Sequence, residues 1–362
     1  MKKLAFIAIL LAIVTTGQAL AASGNGTAAA SKKPAAGMLY FASYGYDSND
    51  DVIRNPYIIG VFYTITWSEI EKTKGKFDWS STDAFLNRWI KAGKFVALRI
   101  MWSSSGMWKA PNAGTPTPAW VWKEGAKYVR HVPSNTEIPL FWDPIYRKYA
   151  MDFQREVNRK FGNNPHILFI DVTPGAETNP YRFRTIERSD PAFKAVYLAT
   201  AASDGRTYSP ELWVETMTGW ITETAKIMTD IPCLVTLNMG GMPGSNNFAV
   251  IGQCCVDNGM MVGQNGLKEG SYTDDNSERT ILYRKWGKQT KLFFEMVAAA
   301  GEQDTGTLME VMKAAERIGC DYLNVYAKDV IKSCNFLPQY QPEWEEAIRY
   351  GYNYFSAKQQ KQ

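Results

Sequence analysis

Two glutamates occupy places where an ordinary surface charge is not expected. Glu295 lies in Lys291-Leu-Phe-Phe-Glu-Met-Val297, an apolar run that reads as a strand covered on both faces. A carboxylate in such a run is costly to bury without a partner or a purpose. Glu177 follows a second run of the same design, Ile167-Leu-Phe-Ile-Asp-Val172, after the turn Thr173-Pro-Gly-Ala176. Sheets of α/β proteins place their chemistry at the carboxyl ends of their strands. Two strand-end glutamates facing one cleft can divide acid and base work, because their surroundings drive the two pKa values apart. Asp171 competes with Glu177, but its position inside the strand suits a structural hydrogen bonder. Arg99, near the end of another apolar run, can bridge to Glu295 and hold it ionised, or serve as a purely structural ion pair.

Eight apolar stretches supply the strands that position these groups: Met38–Tyr44, Tyr57–Tyr63, Phe95–Trp102, Ile167–Val172, Cys233–Asn238, Gly259–Gln264, Lys291–Val297 and Asp321–Tyr326. Helical patterns lie between them. One begins at Ser81, carries the stripe Phe85, Leu86, Trp89 and Ile90, and stops at Gly93. Others run from Asp143-Pro144 to Gly162, from Ser209-Pro210, from Asn276 to Trp286, and from Thr307 to Gly319, with a closing helix from Pro342. Strands alternating with helices predict an α/β fold, a single (β/α)8 barrel. A doubly wound open sheet is the alternative, but no G-x-G-x-x-G follows the first strand. Trp67–Trp79 reads as a polar loop closed by aromatics. Ser103–Leu140 and Tyr181–Tyr208 read as long loops that shape a cleft.

The chain opens with Met1-Lys-Lys, an apolar run from Leu4 to Val14, and Ala19-Leu-Ala21 before Ala22. This is the pattern of a secretory signal peptide at residues 1–21, too short for a good membrane span. Residues 22–36 read as a flexible leader and 37–362 as one domain, with no linker dividing it. The expected location is the periplasm or the exterior of a bacterial cell, with no membrane insertion once the peptide is removed. A net charge of +4 in 362 residues, part of it from Lys2 and Lys3, gives no footprint for nucleic acid. Five cysteines leave at least one without an intramolecular partner, and Cys320 with Cys334 is the candidate pair. His131 and His166 are the two histidines, and without CxxC or HxxxH spacing they predict no metal site. The 12 tryptophans and 19 tyrosines exceed what a core requires, and such rings pack on apolar sugar faces.

The stretch from Gly60 to Trp102 carries a resemblance. Trp67, Ile70, Glu71, Gly75, Phe77 and Asp78 match the pattern W-x-x-[IL]-E-P-x-x-G-x-[FY]-D, with Lys72 in place of proline. This resembles the amino-terminal part of clan A glycoside hydrolases, and is similar to the family 42 (β-galactosidase-type) and family 5 barrels. That likeness implies a glycosidase without cofactor that hydrolyses O-glycosidic bonds of a poly- or oligosaccharide. It implies Glu177 as acid/base after the fourth strand and Glu295 as nucleophile after the seventh, hence a retaining mechanism. Arg99, Trp102, Asn238, Gln264 and Tyr326 at strand ends then become substrate-binding candidates. Tyr272 stands where members of the clan often keep a tyrosine against the nucleophile. Trp67, Trp108 and Trp142 are weaker stacking candidates. Ala176 occupies the place where the clan commonly has the asparagine before its acid/base. That departure motivates a rival, a non-catalytic glycan-binding barrel in exopolysaccharide handling.

Overall fold

Side chains alternate across a strand, so in a closed barrel every second residue enters the lumen. In the computed structural model, which describes residues 32–42, 49–103, 115–175, 190–237 and 247–361, eight strands form such a barrel. They are β1 (Gly37–Ala42), β2 (Ile58–Thr66), β3 (Phe95–Met101), β6 (Ile167–Asp171), β7 (Cys233–Thr236), β8 (Met261–Leu267), β9 (Leu292–Met296) and β10 (Tyr322–Tyr326). All neighbours are parallel, and β1 pairs with β10 to close the ring. The expected single (β/α)8 barrel is therefore the fold, and each of the eight apolar stretches contributes one strand. The remaining strands, β4 (Tyr128–His131) and β5 (Thr136–Pro139), form a separate antiparallel hairpin.

Two apolar layers result. Leu39, Phe41, Phe62, Ala97, Phe169, Leu234, Met261, Phe293 and Tyr322 fill the lumen, where Phe62 stacks on Phe293 at 5.3 Å. A larger layer lies between strands and helices, and it holds most of the tryptophans. Trp67, Trp102, Phe153 and Trp220 pack edge to face or stacked at 5.5–6.0 Å within it. Close approach has a sequence cost there: a Cβ on Gly252 would stand 2.2 Å from the Trp286 ring, so the two outer helices that carry them can meet only at glycine.

Helix starts follow the caps written in the sequence. Asp143 precedes Pro144–Phe161, Ser209 precedes Pro210–Ile227, and Thr307 precedes Leu308–Ile318, each side chain accepting a backbone N–H of the first turn. At Ser80–Lys91 the expected cap Ser81 lies inside the helix; Trp79 holds the cap position without a side-chain bond, while Asp78 accepts the backbone N–H of Ser80 at 3.0 Å and its hydroxyl at 2.6 Å. The supposed loops contain more structure than their composition suggests. Trp67–Ile70 is a helical turn, Ala119–Lys123 and the β4–β5 hairpin occupy part of the 103–140 stretch, and Pro191–Ala199 is a helix capped by Asp190. All five cysteines are free, so Cys320 and Cys334 are not bridged. The Cys320 thiol bonds the Tyr322 carbonyl and the Cys334 thiol that of Val330.

The Trp67–Asp78 motif has a local reason. The Trp67 indole donates to Glu71 at 2.7 Å, and the other Glu71 oxygen accepts the Gly75 N–H at 2.7 Å. Gly75 has φ +74, which glycine adopts without strain, and Trp120 donates to the Glu71 carbonyl. The motif thus folds the β2 exit and carries no reacting group itself.

Asp143 joins the long connections. One oxygen accepts Ile145 and Tyr146 N–H at 2.9 and 3.0 Å, while the other accepts Ser203 N–H at 2.7 Å and Lys127 N–H at 3.3 Å. Asp143→Ala is expected to cost about 2–4 kcal/mol, from a lost cap and two stranded donors. Asp143→Asn, a good cap that keeps one acceptor, should lose less. Urea unfolding of the three proteins checks this, and an unchanged midpoint in Asp143→Ala would remove the proposed joint.

Candidate functional site

The inward positions nearest the carboxyl ends of the strands are polar, in contrast to the apolar lumen beneath. Barrel register assembles them. Glu295 on β9 is paired with Asn265 on β8 and with Asn324 on β10, and Arg99 on β3 with Asp171 on β6. Residues in register on neighbouring strands face the same side, so these five side chains converge.

Arg99 is the hub. Its Nη2 lies 3.0 Å from Glu295 Oε2, its Nε donates to Asp171 Oδ2 at 2.9 Å, and Nη2 reaches Asn265 Oδ1 at 3.4 Å. The guanidinium lies over the Phe62 ring at 4.5 Å, which closes its lower side with a π face. Asp171 also accepts the Thr173 hydroxyl at 2.5 Å and its N–H at 3.0 Å, and Thr173 meets Thr236 at 3.2 Å. Asp171 is therefore held by three donors and fully buried, as a residue that orients others.

Glu295 is 6% exposed. Asn324 Nδ2 donates to the same Oε2 that meets Arg99, at 2.8 Å. Among the described residues Oε1 carries no hydrogen bond. Burial raises the Glu295 pKa above the usual glutamate range; Arg99 and Asn324 offset this in part, and the charge of Asp171 adds to the rise. Arg99 does bridge to Glu295, but it is shared between two carboxylates, so it does not outweigh the loss of water. Burial also works against the charge of Arg99, yet the attraction of Glu295 and Asp171 prevails and raises its pKa.

Another buried carboxylate fixes the chain that leaves β9. Asp329 accepts the Ala300 N–H on both oxygens at 3.1 Å and the Trp344 indole at 2.9 Å. Burial pushes its pKa up to about 6.

The other sequence candidates are distributed differently. Tyr326 stands at the lumen mouth, edge to face with Phe41 at 5.3 Å, its hydroxyl 3.4 Å from the Val297 carbonyl. Gln264 points to the opposite face of β8, because the strand runs on to Leu267 and alternation gives the lumen position to Asn265. Its amide oxygen accepts the Tyr272 hydroxyl, and Tyr272 packs on Tyr283 and Phe294 in the outer layer, away from Glu295. Trp102 also faces outward and is fully buried against Trp67 and Trp220. Trp67 and Trp142 are likewise core residues. Glu177, Asn238 and Trp108 lie outside the described residues.

Asn265, Asn324 and Asp329 were not singled out from sequence. Asn324 had a signal of the same kind as Glu295, a polar residue at the centre of Tyr322-Leu-Asn-Val-Tyr326. Asn265 was hidden by an early strand end.

The fold has known counterparts. The catalytic domain of β-amylase from Paenibacillus polymyxa superposes with a TM-score of 0.59 at 11% identity, covering 87% of this chain and 98% of that domain. β-Galactosidases from the psychrophilic Marinomonas ef1 and from Rahnella sp. R3 superpose with TM-scores of 0.52 and 0.54 at 13% and 11% identity. They cover 87% and 91% of this chain, which spans 59% and 57% of their lengths. At such identities the likeness is one of fold. No family model matches the sequence, and no curated protein matches it.

Removing the shared cation tests the electrostatics. Because the Glu295 pKa is raised on folding, the folded chain keeps a proton that the unfolded chain releases. That contribution to stability is present at low pH and is lost as pH rises through the folded value. Arg99→Met leaves both carboxylates unpaired and is expected to cost about 3–5 kcal/mol near neutral pH. The loss should shrink at pH 5, where protonation relieves it. Urea midpoints of both proteins at pH 5 and pH 8 measure this, and a pH-independent loss would contradict it.

Proposed function

We propose that the protein is an exported glycoside hydrolase that cleaves O-glycosidic bonds of a poly- or oligosaccharide with retention, Glu295 acting as nucleophile and Glu177 as acid/base. The observation that carries this reading is the placement of Glu295: a carboxylate at the catalytic end of a closed barrel, bound on one oxygen by Arg99 and Asn324 while the other takes no bond among the described residues. The clan resemblance of Trp67–Asp78 supports it, as does likeness in fold to proteins named as β-amylase and β-galactosidase.

In this mechanism Glu295 attacks the anomeric carbon while the acid/base gives its proton to the departing glycosidic oxygen. Water, deprotonated by the same acid/base, then cleaves the glycosyl ester and regenerates Glu295. The two carboxyls of a retaining pair stand about 5–5.5 Å apart. In the sequence Glu177 comes shortly after Asp171, the last residue of β6, as an acid/base after the fourth barrel strand would. Arg99 and Asn324 keep the nucleophile ionised enough to attack, and Asp171 keeps Arg99 in place. The raised pKa of Glu295 has a kinetic consequence: the acidic limb of kcat/KM should fall above the ordinary glutamate range, because the attacking form is lost as pH drops through that value.

The glycan-binding barrel remains a second reading on one observation, Ala176 in the place of the clan's asparagine. A panel of polysaccharides and aryl glycosides separates the two. Turnover should fall by about three orders of magnitude or more in Glu295→Gln. Glu177→Gln should keep activity only on substrates with good leaving groups, and the first-formed anomer should be the retained one by NMR. Binding of one glycan with no hydrolysis by wild type would favour the binding barrel, and unchanged turnover in both variants would remove the site assignment. Mass spectrometry of protein secreted by a bacterial host should find Ala22 as its first residue.

A further inference from the structure

Arg99 was expected beside Glu295, but the closer contact to that carboxylate comes from a residue of the last strand. Asn324 is fully buried, in register with Glu295 across β9–β10, and donates Nδ2 to Oε2 at 2.8 Å. Its Oδ1 is buried too and has no hydrogen-bond partner among the described residues. A buried amide normally has its acceptor satisfied, and an orphan one needs an explanation. Among the hydrogen bonds of the described residues, Asn324 spends its side chain on Glu295 alone. Arg99 approaches the same Oε2 from β3 at 3.0 Å. Both donors thus fall on one oxygen of the carboxylate, and neither on Oε1.

We propose that Asn324 is the positioning residue of the nucleophile: with Arg99 it anchors Glu295 Oε2 from two sides of the lumen and thereby selects Oε1 as the attacking oxygen. This rests on the hydrolase reading for the word nucleophile, but the anchoring itself does not. Among the described residues the charged and titratable groups facing Glu295 are Arg99 from β3 and Asp171 from β6; Glu177, the proposed acid/base, lies outside them. From β8 comes the neutral Asn265, and from β10 the Tyr326 phenol stands at the mouth, with its hydroxyl at the Val297 carbonyl. Neither asparagine can neutralise the carboxylate, so Asn324 acts by direction and by favouring the ionised form over the acid. The orphan Oδ1 fits the same role. The amide is turned with Nδ2 to the carboxylate and Oδ1 left over, the orientation that serves the ionised form.

The test reads the carboxyl directly. In protein labelled with 13C at glutamate Cδ, with the Glu295 signal assigned by its loss in Glu295→Gln, the titration midpoint is followed in wild type, Asn324→Ala and Asn324→Asp. The midpoint should rise in Asn324→Ala, where a donor to the ionised form is lost, and rise further in Asn324→Asp, where a third carboxylate joins Asp171 and Glu295. On an aryl glycoside the acidic limb of kcat/KM should move with it, giving about a tenfold loss on that limb in Asn324→Ala. Restoration toward wild type in Asn324→Gln or Asn324→Ser, which can still donate, would separate anchoring from mere filling of space. Asn324→Asp is nearly isosteric, so it keeps the question answerable if the alanine variant fails to fold. An unchanged midpoint in a folded Asn324→Ala or Asn324→Asp overturns the proposal. A shifted midpoint in a protein that hydrolyses no glycoside leaves the anchor in place and removes the hydrolase.

Discussion

One guanidinium between two buried carboxylates sets the terms for the rest of the barrel. Arg99 must satisfy Asp171 and Glu295 together, from a site 3% exposed. Isolated, any of the three charges would be expensive to bury; together they persist only if the geometry is fixed and the remaining hydrogen-bonding capacity is met. Thr173, Asn265 and Asn324 meet much of it, and Phe62 closes the face of the guanidinium. The net charge of the trio is still negative when all are ionised. Burial, with the charge of Asp171 as a smaller addition, holds the Glu295 proton more tightly than in a free glutamate.

Such a site needs rigid walls, and the two apolar layers provide them. Below the polar ring, phenylalanines from β2, β6 and β9 plug the lumen. Outside the sheet, the tryptophan-rich layer locks the helices Pro144–Phe161 and Pro210–Ile227 against β3. The connections are held by single carboxylates with several donors each: Asp143 on the β3 side and Asp329 on the β9 side. In each case an acid whose charge would be wasted in water gathers backbone N–H groups that would otherwise be unpaired. The abundance of aromatics therefore serves packing first. Trp67, Trp102 and Trp142, all candidate sugar platforms by composition, belong to this framework.

Particular elements show how far local information reaches. Asp143-Pro144 and Ser209-Pro210 announced their helices because a capping side chain and a fixed proline φ act within one turn. Asp190-Pro191 carries the same signal and starts Pro191–Ala199, yet the surrounding residues 181–208 read as loop because the helix is short. The β4–β5 hairpin lacks alternation strong enough to separate it from a loop, and its stability comes partly from the Tyr197 hydroxyl on the Pro139 carbonyl, a partner 58 residues away. Glu295 was visible since a charge in an apolar strand is locally anomalous. Gln264 is a site candidate as a strand-end residue and Tyr272 through the clan resemblance; alternation along β8 turns Gln264 to the other face, where the Tyr272 hydroxyl bonds it.

The amino-acid sequence by itself determined the period and order of strands and helices, their caps, and the presence of a carboxylate where apolar residues belong. These depend on interactions within a few residues, which any segment carries with it. Only the tertiary structure decided which side chains meet. The pairing of Glu295 with Asn265 on one side and Asn324 on the other follows from the stagger of three strands in a closed ring. A shift of one residue in any of them would turn its polar group from the lumen to the helix layer. Register is settled by the whole barrel closing at once, with β1 returning to β10, and no single strand holds that information.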